Sequence, residues 1–292
     1  MPRLTEHELA TRDQGLGATD VVEALGLAPW EGAGPMRLYL EKVMGVRAEP
    51  DAPTQAAYDW GHELEALMGD WYSRETGRAL LPGGHVPHRG RPWLWATLDY
   101  KAPDRIVECK DVSGFMARHW DPSSEDGVPR YVRVQCLVGQ ACLGTQLTDV
   151  VASLAGRPPH VWTVAWDQSL WDIVIAKATH FWDRCVARRP PELDDTDATR
   201  ELLRRLYPTN EDRSLVDADL DAEDEARQLI GASMTRRASE SAVSILTSKL
   251  LKRVGEHDGI RGDGWKLTWK CDKNGTRRSR FTADALKERD RT

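Results

Sequence analysis

Asp99, Glu108 and Lys110 are the residues of this 292-residue chain whose types and spacing most directly suggest chemistry. They lie in residues 93–110, WLWATLDYKAPDRIVECK, which predicts two short strands joined by a tight turn. Residues 93–99 are rich in aromatic and β-branched side chains, and residues 105–110 form a second short, apolar-biased run. Between them, Ala102-Pro103-Asp104-Arg105 is a turn signal with proline at the second position. A turn centred on Pro103 and Asp104 sets Asp99 opposite Glu108, about 5 Å away on the same face. Strand alternation puts Lys110 on that face as well. Two close carboxylates repel, and one of them resists ionisation unless a cation sits between them. A hard divalent metal ion meets that need through oxygen ligands. Lys110 then stands beside the metal, placed to position or activate a water. The same residues also fit a cross-strand charge cluster on a surface hairpin, so the elements around them must decide.

Residues 54–76 predict a helix, with Ala57, Trp60, Leu64, Leu67 and Trp71 as a core stripe. Glu65 lies about a quarter-turn off that stripe, with Gly61 one turn before it and Tyr72 about two turns after. A missing side chain beside a carboxylate leaves room for close approach. Residues 79–86 predict a strand leading into the hairpin, and residues 111–129 an irregular loop. Pro129 opens a helix that carries Tyr131 and Gln135 one turn apart. Facing a groove, Gln135 needs partners for both ends of its amide. Strands follow at 148–154 and 160–166, then a helix at 170–189. Upstream, residues 11–45 predict loop, helix, loop, helix. Thr19 or Asp20 can cap the first helix, which runs to Leu25 and stops at Gly26. Pro35 opens the second. The glycine-rich segment before the first helix contains Arg12. Exposed helix amides, a hydroxyl and a nearby arginine make a phosphate site; a routine capped helix with a surface arginine has the same sequence.

Composition narrows the class. Hydrophobic content of 40% suits a globular core, and no apolar run approaches the roughly 20 residues of a membrane span. The first fifteen residues carry acidic groups and no apolar centre, unlike a signal peptide. Five cysteines without a CxxC pair suggest free thiols in a reducing cytosol. A net charge of −6 argues against nonspecific coating of nucleic acid but leaves room for a local basic groove. Lys101, Arg105, Arg118 and Arg133 are candidates to hold a strand backbone, or plain surface charges. From residue 192 the chain turns acidic, and residues 192–225 predict a linker carrying one short helix at about 197–207, followed by a long helix at 219–256 and a basic tail. Val243, Leu246, Leu250 and Val254 give that helix a seam. WKLTWK leads to an Asn-Gly hairpin turn at residues 273–276, followed by Arg277, Arg278 and Arg280. This basic β-tip suits DNA or a partner, or is simply solvated.

Taken in order, residues 12–208 resemble the YqaJ-type viral recombinase family, which is similar to lambda exonuclease within the PD-(D/E)XK nuclease superfamily. Arg12-x4-Gly17-Ala18-Thr19-Asp20 resembles its opening Arg and Gly-Gly-Ser-Asp. Trp60-Gly61-x3-Glu65 resembles its W-G-x-x-x-E helix. Asp99 with Glu108-Cys109-Lys110 resembles the nuclease core, and Tyr131-x3-Gln135 the helix that follows. Phe181-Trp182 and Pro190-Pro191 echo its closing helix. Two departures stand out: Asp99 sits in Thr-Leu-Asp-Tyr rather than Pro-Asp-Gly, and Ala18-Thr19 replaces Gly-Ser. The C-terminal helix and tail are similar, more loosely, to extensions in some phage members. The extent of the resemblance sets the domain division at 1–208 and 209–292.

The resemblance implies an α/β fold, a restriction-endonuclease-like central mixed sheet flanked by helices, with a helical extension ending in a β-hairpin. It implies Mg2+, with Mn2+ able to substitute, held by Glu65, Asp99, Glu108 and the Cys109 carbonyl. Lys110 would orient and help deprotonate the attacking water, Gln135 would hold Lys110 or the water, and Arg12 and Thr19 would grip a DNA 5′-phosphate. The implied activity is 5′ to 3′ resection of double-stranded DNA in a phage or prophage recombination system, within the bacterial cytoplasm. The implied partners are a single-strand annealing protein and further copies of the chain in a ring, with no membrane. The same core residues would equally serve an endonuclease, and the same fold a non-catalytic DNA-binding scaffold.

Overall fold

A computed structural model describes residues 14–46, 51–207, 215, 217–273 and 275–284. The chain divides into two units, Met1–Thr209 and Asn210–Thr292. The first contains helices α1 (Ala18–Ala24), α2 (Pro35–Met44) and α3 (Ala52–Thr76), then strands β1 (Leu81–His88), β2 (Arg91–Lys101) and β3 (Ile106–Val112). Helix α4 (Arg130–Leu143), strands β4 (Leu147–Leu154) and β5 (His160–Ala165), and helices α5 (Gln168–Val186) and α6 (Asp197–Leu206) follow. The sheet runs β1-β2-β3-β4-β5 and is mixed. Only β3 and β4 are parallel, and α4 supplies the crossover that a parallel pair requires.

The hairpin has the register its turn dictates. Ala102 donates to the Arg105 carbonyl at 2.9 Å, and β2 pairs Lys101 with Ile106 and Tyr100 with Val107. Helices cover both faces. On one side Leu98 and Ile106 join Val134, Leu137 and Val138 of α4 in the main core. On the other, Val107, Cys109 and Val151 pack with Met68 and Tyr72 of α3. Helix α3 starts where Asp51 accepts from the Thr54 amide at 2.9 Å and ends at Gly77, which takes the left-handed conformation. Its expected core stripe is kept in part: Leu64 and Trp71 pack against the cluster of Val107, Cys109 and Val151, but the buried face is rotated from the rest. Trp60 and Leu67 are 60% and 62% exposed, and the buried positions are Met68, Gly69 and Tyr72.

A buried polar network ties α3 to the far half of the sheet. The Tyr72 hydroxyl donates to Asp149 Oδ2 at 2.6 Å. Arg105 Nη1 donates to both Asp149 oxygens at 2.9 and 3.1 Å, and Thr163 donates to Oδ1 at 2.7 Å. Arg105 also pairs with Asp104 at 2.9 Å, so it holds the fold rather than a strand backbone. Arg133 is similarly occupied by Asp126 at 2.8 Å and by the Val128 carbonyl at 3.0 Å. Asp149→Ala strips a partly buried arginine and a buried hydroxyl of their acceptor. It is expected to cost about 3 kcal/mol, read from urea unfolding midpoints.

The first two helices are clamped by carboxylates. Gly17, not Thr19 or Asp20, is the N-cap of α1. Asp20 sits one turn in, where Oδ2 accepts from the Gly17 amide at 2.9 Å and from Lys42 at 2.7 Å. Glu23 accepts from the Gly34 amide at 2.9 Å and from Arg37.

The second unit contains α7 (Leu220–Val254) and strands β6 (Gly259–Gly262), β7 (Trp265–Cys271) and β8 (Arg277–Ala283). The expected hairpin is thus two strands of a three-stranded antiparallel sheet, β6-β7-β8. Its turn is one residue longer than a two-residue Asn-Gly loop, because Cys271 pairs with Arg277. Among the described residues of this unit, Val254 and Leu267 are the buried apolar ones, while Val243 and Leu246 of the expected seam are 63% and 57% exposed. Arg277 ends the helix: it donates to the Gly255 carbonyl at 3.0 Å and to that of His257, and stacks 3.8 Å over Trp269. Among the described residues no helix is long and apolar enough to cross a membrane.

Candidate active site

The β2–β3 ladder stops one step short of the carboxylates. Beyond Tyr100–Val107 no backbone pair joins the two strands. The Cys109 amide instead donates to Asp99 Oδ2 at 2.8 Å. Strand β2 also turns over at this point. Leu98 contacts α4 beside Gly139, whereas Tyr100 lies against Gly69 of α3. Residues two apart in a regular strand share a face, so Asp99 marks an irregularity of the kind that re-aims side chains. Further along β2, its open edge takes up Leu16 instead. The Leu16 amide donates to the Trp93 carbonyl at 2.7 Å, and the Trp95 amide to the Leu16 carbonyl at 3.1 Å. The opening segment is thereby fixed to β2 upstream of the gap, and α1 starts from it.

Four charged side chains surround the gap. Lys110 donates to Glu108 Oε1 at 2.7 Å, both partly buried. Burial pushes the Asp99 carboxyl well above the usual carboxylate range, reinforced by Glu108 and Glu65 and opposed by Lys110 and the Cys109 amide. Burial works against the Lys110 ammonium, but Glu108 and Asp99 outweigh it and hold its pKa above the ordinary lysine value. Glu65 enters from α3, with its carboxylate 3.4 Å from His62. What sets it there is the contact between Tyr100 and Gly69. The Tyr100 hydroxyl donates to the Glu65 carbonyl at 3.3 Å, and a Cβ on Gly69 would stand 2.8 Å from the Tyr100 ring. Gly69 provides the close approach within the fold, while the space beside Gly61 is open: nothing lies within 4 Å of a Cβ built there. A glycine inside a helix is a sequence signal of such an approach. Gly69→Ala is expected to cost about 1–3 kcal/mol by overpacking, measured by chemical denaturation. A Tyr100→Leu change in the same protein should restore part of the loss.

Gln135 of α4 donates to the Thr19 hydroxyl at 3.1 Å. Its carbonyl oxygen is buried with no partner among the described residues. A cleft of about 260 Å3 opens beside Lys110, lined in part by Trp30, Tyr131 and Trp120. Glu65, Asp99, Glu108, Cys109 and Lys110 thus meet at the gap, and Thr19 meets Gln135. Arg12 lies outside the described residues.

The donor set fits a hard divalent cation in kind. It has oxygen donors, with three carboxylates against one ammonium. It is not closed as it stands: among the described residues no three Asp, Glu, His or Cys side chains are close enough together to hold an ion. Each carboxylate is held by a local partner, namely the Cys109 amide, Lys110 or His62. Negative charge in excess, a lysine and a cleft are what metal-assisted hydrolysis of an anionic ester requires.

The chain is similar in fold to a crystal structure of an alkaline exonuclease (LHK-Exo) from Laribacter hongkongensis. Identity is 19%, the match covers 69% of this chain and 98% of that one, and the TM-score is 0.52. The structure of LHK-Exo in complex with dAMP matches over the same shares, with 20% identity and a TM-score of 0.52. No curated protein sequence matches significantly. The family model of the YqaJ-like viral recombinase domain matches residues 9–146, which reach from the opening segment through α4 and hold every residue of the gap. Those residues of this chain are similar to the YqaJ-like viral recombinase domain.

Proposed function

We propose that this chain is a divalent-metal-dependent exonuclease that resects linear duplex DNA in a phage-type recombination system. The observation that carries it is the meeting of Glu65, Asp99, Glu108 and Lys110 at the break in the β2–β3 ladder. The domain match and the fold shared with an alkaline exonuclease support the reading. So does the pattern Asp99 with Glu108-x-Lys110, which is that of a PD-(D/E)XK core.

Glu65, Asp99, Glu108 and the Cys109 carbonyl would hold Mg2+, or Mn2+ in its place. The bound metal supplies charge stabilisation to the phosphate and lowers the pKa of a bound water. A cation there would compete with Lys110 for Glu108 and with His62 for Glu65, and a lysine so released would orient the attacking water and take part in its deprotonation. Gln135 keeps its amide nitrogen on Thr19 and offers its orphaned oxygen to Lys110 or the water. Thr19, with Arg12, would receive the 5′-phosphate that sets polarity. The cleft beside Lys110 has aromatic walls on which a terminal base can rest.

Digestion of duplex DNA labelled at either end tests this reading, with a closed circle as control. Early release of 5′ label and an intact circle are expected. Cutting of the circle would indicate an endonuclease built on the same residues. Arg12→Ala should slow 5′-phosphorylated ends more than 5′-hydroxyl ends, by on the order of tenfold. Equal slowing of both would remove Arg12 from phosphate binding.

A further inference from the structure

The sheet of the second unit carries five of its six cations on one face, and the sixth, Arg277, is held on the other by the Gly255, His257 and Trp269 carbonyls. Directly opposed residues of an antiparallel ladder share a face. Lys266 is flanked by Arg261 and Thr282, Thr268 by Gly259 and Arg280, and Lys270 faces Arg278. One face therefore presents Arg261, Lys266, Lys270, Arg278 and Arg280, all exposed. Its remaining positions are Gly259, Thr268 and Thr282. The opposite face carries Ile260, Trp265, Leu267 and Phe281, with Leu267 buried.

This arrangement costs the fold something. Arg261 lies directly across from Lys266, and Lys270 across from Arg278, and like charges set opposite each other destabilise a sheet. Asp272 answers Arg278 at 2.8 Å. Among the described residues, no carboxylate lies within ion-pair distance of Arg261, Lys266, Lys270 or Arg280. In a chain of net charge −6 this is a local excess of cation, and it calls for an anionic partner.

We infer that the basic face of β6-β7-β8 binds the phosphate backbone of nucleic acid, as a second contact surface apart from the gap between β2 and β3. Same-face residues on a strand are about 7 Å apart and neighbouring strands about 5 Å, so the five cations form a compact grid suited to a line of phosphates. Lysine, arginine and threonine are the side chains that hold phosphates without reading bases. An acidic protein partner fits less well. Protein interfaces centre on buried aromatic or aliphatic anchors, and this face has none.

The test uses the full chain in EDTA, so that cleavage plays no part. A fluorescein-labelled DNA duplex is titrated by anisotropy over a range of salt. The variant is Lys266→Gln, Lys270→Gln, Arg280→Gln. The control is Lys249→Gln, Lys252→Gln, Arg253→Gln on α7, which removes the same charge. The face variant should bind on the order of tenfold or more weakly, and its log K against log salt slope should fall by about three, while the control keeps the wild-type slope. Lys266→Arg with Lys270→Arg should bind like wild type. Relief of like-charge opposition means the melting temperature of the face variant should hold or rise. Unchanged affinity and slope would overturn the inference. So would a lowered melting temperature, since these charges would then serve the fold. Loss of binding to a polyglutamate chain with DNA binding intact would assign the face to an acidic protein instead. Asp99→Ala leaves this contact in place, so failure here and failure at the gap are separately visible.

Discussion

Lys110→Ala should lower the rate of DNA cleavage by about 10²–10⁴-fold, the usual worth of a positioned proton-transfer group, with DNA and metal affinity retained. Lys110 pairs with Glu108 at 2.7 Å and is held above the ordinary lysine pKa by Glu108 and Asp99. Removing it leaves Glu65, Asp99, Glu108 and the Cys109 carbonyl in place and takes away only their internal counter-charge. Metal should therefore bind the variant at least as tightly as wild type, since the ion no longer competes with an ammonium. Single-turnover cleavage with DNA bound, beside a Mn2+ titration, separates the two effects. Parallel loss of metal binding and cleavage would mean that Lys110 builds the site rather than acts in it.

Asp99→Asn should act in the opposite sense. Burial, Glu108 and Glu65 push the Asp99 carboxyl well above its ordinary range. The amide keeps an oxygen to accept from the Cys109 amide and sheds the repelled charge. Without metal the variant should melt no lower than wild type and is expected to melt higher. With metal the order reverses. A site saturated a hundredfold over its Kd gains about 2.7 kcal/mol from the ion, and the variant forfeits most of that. Cleavage should fall on the order of 10³-fold, given several kcal/mol of lost charge stabilisation at about 1.4 kcal/mol per decade. Thermal melts with and without Mg2+ read the crossing directly. A variant that still gained full stability from Mg2+ would place the ion elsewhere.

The hairpin register was legible because it is local: Pro103 and Asp104 fix the turn, and the turn fixes Tyr100 against Val107. The turnover of β2 at Asp99 was not legible. It depends on Leu98 and Tyr100 going to opposite helices, and strand alternation alone predicts the reverse. The buried face of α3 was misplaced in part, for a related reason. Trp60 and Leu67 look like core residues by type but are exposed, while Gly69, which carries no apolar signal, lies buried against the Tyr100 ring. Tyr72, Asp149, Arg105 and Thr163 are scattered over nearly a hundred residues, and no periodicity links them. Strand β6 was hidden because Gly259-Ile260-Arg261-Gly262 holds a single β-branched residue between glycines. The types that do the chemistry were readable throughout; the contacts that aim them are tertiary.

The most direct test of the central claim compares wild type and Asp99→Ala on linear duplex DNA, with Mg2+ and with EDTA, measuring the release of acid-soluble nucleotide over time. The account predicts release by wild type in Mg2+ alone and none above background from the variant. Equal release by Asp99→Ala, or release by wild type in EDTA, would contradict it.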